Sequence, residues 1–162
     1  MPSPHYLRVR EFMRRVGQDT PPSPVTPDAP TRMLRAKLIL EEALETVAAL
    51  GVEVTVSVGE ANVPLGAGSS SLSFETTAEA DLEGVVDGCA DISVVTIGTL
   101  IAFGVDDEPV LEEVDAANLR KFGPGSRMRD DGKWIKPPDW TPPDILGVVD
   151  RLGTPQEASS SS

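Results

Sequence analysis

The sequence predicts a mainly α-helical bundle of about four to five helices with a small β-hairpin insert. Two patterns predict this class: long segments repeat apolar residues at spacings of three and four, and one short segment alternates apolar with polar residues. The 162 residues suit one domain, and with 40% hydrophobic but only 4% aromatic residues its core must be mainly Leu, Val, Ile and Ala. Residues 1–153 are expected to form that single domain, with residues 52–77 as the β insert and residues 154–162 as a disordered tail.

Two helices are predicted before the insert. Residues 5–16 repeat apolar side chains at helical spacing, which predicts a short amphipathic helix that ends at Gly17. Residues 18–30 are rich in proline, which cannot continue a helix, so they form a loop. From about Thr31 to Leu50 strong helix formers dominate, and Gly51 marks the expected end of the second helix.

The predicted β insert follows directly. Residues 52–58 (VEVTVSV) alternate apolar and polar positions and are rich in β-branched residues, which favours a strand. Residues 71–77 (SLSFETT) form a second candidate strand. The glycine- and serine-rich residues 59–70 can connect the two, so we expect a hairpin outside the helical core.

A third helix is predicted from Thr77 or Ala78 to Phe103, with Gly104 as its cap. Its second half, residues 92–103, is apolar on almost every side, which implies burial on more than one face. In so small a chain this favours packing against a second copy, so we expect a homodimer or homotetramer. Cys89 lies in the same apolar stretch and is expected to be a small core residue.

The C-terminal third is predicted to contain two more helices. Asp106 or Asp107 can cap a helix that runs to about Lys121. Residues 122–140 are irregular and basic. A short final helix should then have Thr141 as its cap, Pro142 in its first turn and Gly153 past its end.

The charge distribution limits the function classes. A formal net charge of −12 disfavours nucleic-acid binding, which needs clustered lysine and arginine. The single cysteine excludes an internal disulfide. No signal peptide is visible, and the apolar run at residues 92–103 is too short to span a bilayer, so we expect no membrane partner. The expected location is the cytoplasm, or the host cytoplasm if the protein is of phage origin.

Two acidic clusters carry the candidate chemistry. Glu41, Glu42 and Glu45 share a face of the second predicted helix, and Asp87 and Asp91 lie one turn apart on the third. Acids in apolar stretches need a positive partner, and oxygen-only ligands suit Mg²⁺ or Mn²⁺. A di-iron bundle would need Glu-x-x-His pairs, which are absent from the sequence. The competing interpretation is a pair of solvated acidic faces, which is the commoner meaning of such clusters.

The basic segment that follows can meet phosphate. Lysine and arginine pair with phosphate oxygens, and an asparagine amide can donate a hydrogen bond to sugar or phosphate. The candidate substrate-binding residues here are Asn118, Lys121, Lys133 and Lys136. Each one taken singly could equally be an ordinary surface residue.

Together these motifs resemble the MazG-like all-α nucleoside triphosphate pyrophosphohydrolases. The resemblance rests on Glu-Glu-x-x-Glu, the second acidic pair, Asn-Leu-x-Lys at residues 118–121 and Asp-Gly-Lys-x-x-Lys-Pro at residues 131–137. It covers residues 12–150 and looks closest to the short phage and dUTPase-like branch. That branch includes the phage guanine-nucleotide diphosphohydrolases called MazZ. The chain departs from the family at Gly88, where an acid is usual three residues before Asp91.

The resemblance implies a MazG-like bundle that hydrolyses a (deoxy)nucleoside triphosphate to the monophosphate and pyrophosphate. Two or more Mg²⁺ or Mn²⁺ ions would be held by Glu42, Glu45 and Asp91, with Asp87 taking the place of the usual acid. Glu41 would bind a further ion or orient the attacking water.

The substrate-binding residues would be the lysines and Asn118 for the phosphates and sugar, with Phe12 against the base. The most favoured substrate is (d)GTP, and dUTP or dUDP is the alternative. A non-catalytic helical module for nucleotide sensing or protein interaction is the alternative of another class.

Overall fold

The computed structural model describes residues 1–56, 72–130, 132 and 134–154. Within these ranges it contains five α-helices, one short 3-10 helix and two small antiparallel two-stranded sheets. This confirms the mainly helical bundle with a small β-hairpin. The chain divides into two compact units, one formed by residues 29–96 and the other by residues 1–28 together with residues 97–162.

The first of these units contains α2 (Ala29–Ala49), β1 (Val52–Val56), β2 (Leu72–Thr76) and most of α3 (Leu82–Ala102). The strands pair antiparallel, with Val52 opposite Thr76, Glu53 opposite Glu75 and Val56 opposite Leu72. The two paired strands of the predicted hairpin are therefore present. The predicted connection at residues 59–70 lies outside the described residues.

Helix α3 begins at Leu82, four to five residues later than the sequence suggested. The intervening segment bonds to the end of α2 instead: the amide of Thr77 donates to the carbonyl of Gly51, and the amide of Asp81 donates to the carbonyl of Ala49, both at 2.8 Å. The Asp81 carboxylate then accepts from the amide of Glu83 at 3.1 Å. The Asp81 amide, which an earlier helix turn would have used, is thus bonded to α2 instead.

The second unit places α1 (Pro4–Arg15) next to the start of α4 (Asp107–Leu119). Ser3 caps α1, since its hydroxyl accepts from the amide of Tyr6 at 3.0 Å. The buried carboxylate of Asp107 accepts from the amide of Ser3 at 2.9 Å and also from its hydroxyl. Asp106 occupies the N-cap position of α4, but its side chain makes no capping hydrogen bond.

The C-terminal segment is more ordered than predicted. A 3-10 helix (Arg120–Phe122) is followed by a two-residue ladder between β3 (Arg127–Met128) and β4 (Trp134–Ile135). The final helix α5 (Ile145–Gly153) is capped by Asp144, whose carboxylate accepts from the amide of Gly147 at 3.0 Å.

The prediction that Thr141 caps the final helix was therefore wrong. Pro142 and Pro143 follow it, and a residue that precedes a proline is disfavoured in the helical conformation. The helix accordingly starts only after the second proline. Residues 155–162, most of the predicted disordered tail, lie outside the described residues.

Much of the apolar surface of α2 and α3 is exposed in the single chain. By length and composition α3 could cross a membrane, although core helices of soluble proteins pass the same test. Ile101 and Val95 are buried, whereas Leu82 and Val86 are exposed. Cys89 is also exposed, so its predicted place in the core was wrong. It lies on a face of α3 that this chain does not cover.

Candidate active site

The five candidate acids all lie in the unit formed by residues 29–96. Helix α2 carries Glu41, Glu42 and Glu45, and α3 carries Asp87 and Asp91. Glu42 is half-buried and the other four are exposed. Exposed carboxylates carry no desolvation penalty within the chain, so burial alone does not require a positive partner for them. They are, however, accessible to a ligand.

A close approach between α2 and α3 lies between the two clusters. A Cβ atom added at Gly88 would lie 3.1 Å from the Cβ atom of Thr46 and 3.2 Å from its Cα atom, and closer still to its hydroxyl. The Thr46 hydroxyl donates to the carbonyl of Glu42 at 2.7 Å, so it is satisfied within α2. Thr46 directly follows Glu45, and Gly88 directly follows Asp87. The closest packing of the two helices therefore brings the two acidic clusters into one region.

The electrostatics of Glu42 link the two clusters. Its pKa is raised above the usual glutamate value, first by desolvation and then by the negative charges of Asp91, Glu45, Glu41 and Asp87, in that order. Among the described residues, no lysine or arginine forms an ion pair with any of these five acids. The region is therefore a concentration of negative charge without a compensating cation from the described chain.

The donor set fits a hard divalent cation. It offers only carboxylate oxygens, which Mg²⁺ and Mn²⁺ prefer, and Mg²⁺ needs only one or two direct carboxylates because it retains waters. No three His, Cys, Asp or Glu side chains within the described ranges converge on one point as a finished coordination shell. Like charges repel, and the exposed glutamates have rotatable side chains that a cation can draw together. That Glu42, Glu45 and Asp91 hold such a cation stays a prediction.

Gly88 now has a physical explanation. Any side chain at this position would press against Thr46 on α2, so the family's usual acid cannot be accommodated here without separating the helices. Asp87 is the nearest alternative on α3. Of the four charges that act on Glu42 it contributes least, and its role as a metal ligand stays a prediction.

The other substrate-binding candidates of the basic segment belong to the other unit, and two of the lysines lie over one indole ring. The Lys121 ammonium donates to the Asn118 side-chain oxygen at 2.7 Å. The ammonium of Lys136 lies 3.5 Å from the centre of the Trp140 ring, and that of Lys121 lies 5.9 Å from it. Lys133 lies outside the described residues. Lys121 and Lys136 thus form one cationic cluster over Trp140, and Asn118 is hydrogen-bonded to the first of these lysines.

A family model for phosphoribosyl-ATP pyrophosphohydrolase (PRA-PH) matches residues 9–118, more than half of the chain. The chain belongs to the PRA-PH family. The matched region contains both acidic clusters and ends at Asn118, before the three candidate substrate-binding lysines. No curated protein matches the chain.

PRA-PH proteins belong to the MazG-like superfamily of all-α nucleoside triphosphate pyrophosphohydrolases, which bears out the resemblance at that level. The chain is therefore an enzyme of the pyrophosphohydrolase class, and the alternative of a non-catalytic module loses its support. Members of this class typically use divalent metals, in agreement with the acidic donor set.

Aromatic residues near the lysines were missed by the sequence reasoning. Phe12, the predicted base contact, has a ring that is 58% exposed on α1, so it is not a core residue. Phe122, Trp134 and Trp140 lie around the cationic cluster, and the two tryptophans are the only ones in the chain. Their concentration in one basic segment of an aromatic-poor protein was the signal that could have revealed them.

Proposed function

We propose that this PRA-PH protein hydrolyses a (deoxy)nucleoside triphosphate to the monophosphate and pyrophosphate, with (d)GTP as the preferred substrate. The observation that carries the proposal is a group of five carboxylates on two helices in close contact, inside the region that matches the family model. No lysine or arginine of the described ranges forms an ion pair with them. Such a group has the chemistry needed to hold divalent cations against a triphosphate.

In the proposed reaction, Glu42, Glu45 and Asp91 would hold two or more Mg²⁺ or Mn²⁺ ions, with Asp87 as a further ligand. Cations held there would neutralise charge at the phosphates and favour deprotonation of water. Glu41, or Glu42, orients the attacking water and accepts its proton. The water oxygen forms a bond to the α-phosphorus, and the bond from that phosphorus to the bridging oxygen breaks. Pyrophosphate leaves with the electron pair.

The basic cluster is proposed to bind the departing pyrophosphate. Lys121 and Lys136, together with Lys133, can neutralise its charge as it develops. Because the Asn118 side-chain oxygen already accepts from Lys121, its amide nitrogen is left to donate to the substrate. Phe12, with its exposed ring, is the candidate that the sequence offers for the base.

Substrate choice rests on resemblance rather than on a recognised base-reading motif. The likeness to the short phage branch supports (d)GTP, in which case the protein would be of the MazZ type, and the dUTPase-like branch supports dUTP or dUDP. The family description adds phosphoribosyl-ATP as a third candidate.

A substrate panel tests these assignments together. The protein is incubated with Mg²⁺ or Mn²⁺ and with each (d)NTP, dUDP or phosphoribosyl-ATP, and pyrophosphate and phosphate release are measured separately. We expect pyrophosphate with the monophosphate as co-product, fastest with dGTP. Release of single phosphates would contradict the proposed reaction, and faster turnover of dUTP or phosphoribosyl-ATP would contradict the guanine assignment. The absence of turnover with every substrate, together with no thermal shift on adding Mn²⁺, would refute the enzyme assignment.

We also propose that the exposed apolar surface of α2 and α3 is covered by a second copy of the chain, giving a homodimer or homotetramer. Leu82 and Val86 project from α3, and Leu44 is exposed on α2. Large apolar side chains exposed on two helices in contact are what an interface with a second copy would cover.

We expect sedimentation equilibrium to give at least twice the monomer mass of 17.2 kDa. Val86→Lys should shift the protein towards monomer, because a lysine would be buried without a partner at the contact. Leu146→Lys on α5 is the matched control, since the two side chains are similarly exposed at 63% and 72%. A monomeric wild type, or equal dissociation by both variants, would contradict this interface.

A further inference from the structure

We propose that the exposed ring of Phe122, held against Trp134, is a stacking surface for the nucleobase of the substrate, and that it favours purines over pyrimidines. This inference rests on the proposed nucleotide hydrolysis and assigns its base-binding residue. It places the base in the C-terminal segment, beyond residue 118, where the match to the family model ends.

The first observation is that the ring in contact with Phe122 is anchored to the backbone. The Trp134 indole N–H donates to the carbonyl of Lys121 at 2.7 Å, which ties β4 to the 3-10 helix. The centres of the Phe122 and Trp134 rings lie 5.0 Å apart, with the ring planes tilted by 49°. The hydrogen bond holds Trp134 against the 3-10 helix, so Phe122 has a supporting ring on one side.

The second observation is that Phe122 is not covered. Its side chain is 66% exposed although it contacts Trp134, while Trp134 itself is half-buried. A large apolar ring that is supported from one side and open on the other has the form of a stacking platform. Stacking requires only a π face from the ligand, and a purine presents a larger face than a pyrimidine.

The third observation is the presence of two lysines close to the rings in the chain. Lys121 is the immediate neighbour of Phe122, and Lys136 lies two residues after Trp134, so each ring has a lysine beside it in the chain. Both ammonium groups lie over Trp140, whose indole N–H donates to the carbonyl of Ala117 at 2.9 Å. An aromatic surface next to fixed positive charges matches a base that carries phosphates better than it matches an uncharged ring or an apolar peptide.

The test measures binding without turnover. The probes are α,β-methylene dGTP, which cannot be cleaved at the reacting bond, and inorganic tripolyphosphate, which has the charges but no base. Isothermal titration calorimetry with Mg²⁺ gives the affinity of each for the wild type and for Phe122→Leu, which keeps apolar volume but removes the π face. We expect Phe122→Leu to weaken the dGTP analogue about tenfold, as loss of one stacked base does, and to leave tripolyphosphate unchanged. Phe122→Trp should retain the affinity for the analogue.

Two control variants make the result specific. Phe74→Leu on β2 removes a ring with the same 66% exposure and should bind both probes as the wild type does. Phe12→Leu tests the other candidate ring. The inference is overturned if Phe122→Leu binds the analogue normally, if it loses tripolyphosphate equally, or if Phe12→Leu alone shows the loss. If the wild type releases pyrophosphate from dGTP and Phe122→Leu binds the analogue normally, only this inference is refuted. If the wild type binds the analogue through Phe122 but never cleaves dGTP, only the proposed function is refuted.

Discussion

Replacing Glu42 and Glu45 together with glutamine should abolish pyrophosphate release from dGTP, by at least about a thousandfold. The change removes two proposed metal ligands, and a bound cation stabilises the developing charge by several kcal/mol, each 1.36 kcal/mol being a factor of about ten in rate. Mn²⁺ binding, measured by calorimetry, should be lost in parallel. The reaction rate and the metal affinity thus report on the same two side chains.

The fold of this double variant should survive. The raised pKa of Glu42 means that its ionised form is disfavoured in the folded protein by desolvation and by Asp91 and its other acidic neighbours. At pH values above that raised pKa the ionised carboxylate opposes folding, so a neutral glutamine removes the repulsion. Without added metal, the melting temperature should therefore stay the same or rise.

The matched control is Glu108→Gln with Glu112→Gln, a pair on one face of α4 whose carboxylates are assigned no part in the reaction. It removes the same two charges from the chain and should keep wild-type turnover. Normal activity in the Glu42 and Glu45 variant, or an equal loss in the control, would show that the metal assignment is wrong.

Gly88→Ala should lower the free energy of unfolding by about 1–3 kcal/mol, the usual cost of overpacking. In an open helix interior the same change would stabilise by about 1 kcal/mol, because alanine is the better helix former. The contact decides the sign here, since the new Cβ atom would lie 3.2 Å from the Cα atom of Thr46 and the backbone of α2 would have to move. Urea denaturation measures the change.

Two further variants check the cause. Gly153→Ala in α5 has nothing within 4 Å of the added Cβ atom and should be neutral or stabilising. Thr46→Ala removes the hydroxyl that the new methyl group would strike, so its combination with Gly88→Ala should be less destabilising than the two single effects added together. Strict additivity would mean that the two helices do not meet at this point. Gly88→Glu, which restores the family's usual acid, should be less stable than Gly88→Ala and should gain no activity.

Local periodicity was enough to predict that the helices exist. It could not predict the helix boundaries that depend on tertiary contacts. The start of α3 depends on hydrogen bonds from Thr77 and Asp81 to the end of α2, residues some thirty positions away along the chain. The exposure of Cys89 depends on which side of an apolar helix the rest of the chain happens to cover. Neither is encoded in the neighbouring residues.

In the candidate site, too, some features could be predicted from the sequence and others only from the structure. Spacing alone placed Glu42 with Glu45 and Asp87 with Asp91, because residues three or four apart share a helix face. The coupling of the two pairs required the approach of α2 and α3 at Thr46 and Gly88, which only the three-dimensional structure reveals. The ring of Phe122 gave no periodic signal, since its contact with Trp134 joins a single-turn 3-10 helix to a two-residue strand.

The exposed thiol of Cys89 has a practical use. It is the only cysteine in the chain and lies two positions from both Asp87 and Asp91, so a maleimide dye would attach at one defined place beside the acidic region without any mutagenesis. Changes in the dye's emission would report cation loading directly. Its rate of labelling at rising protein concentration would measure how far self-association shields that stretch of α3.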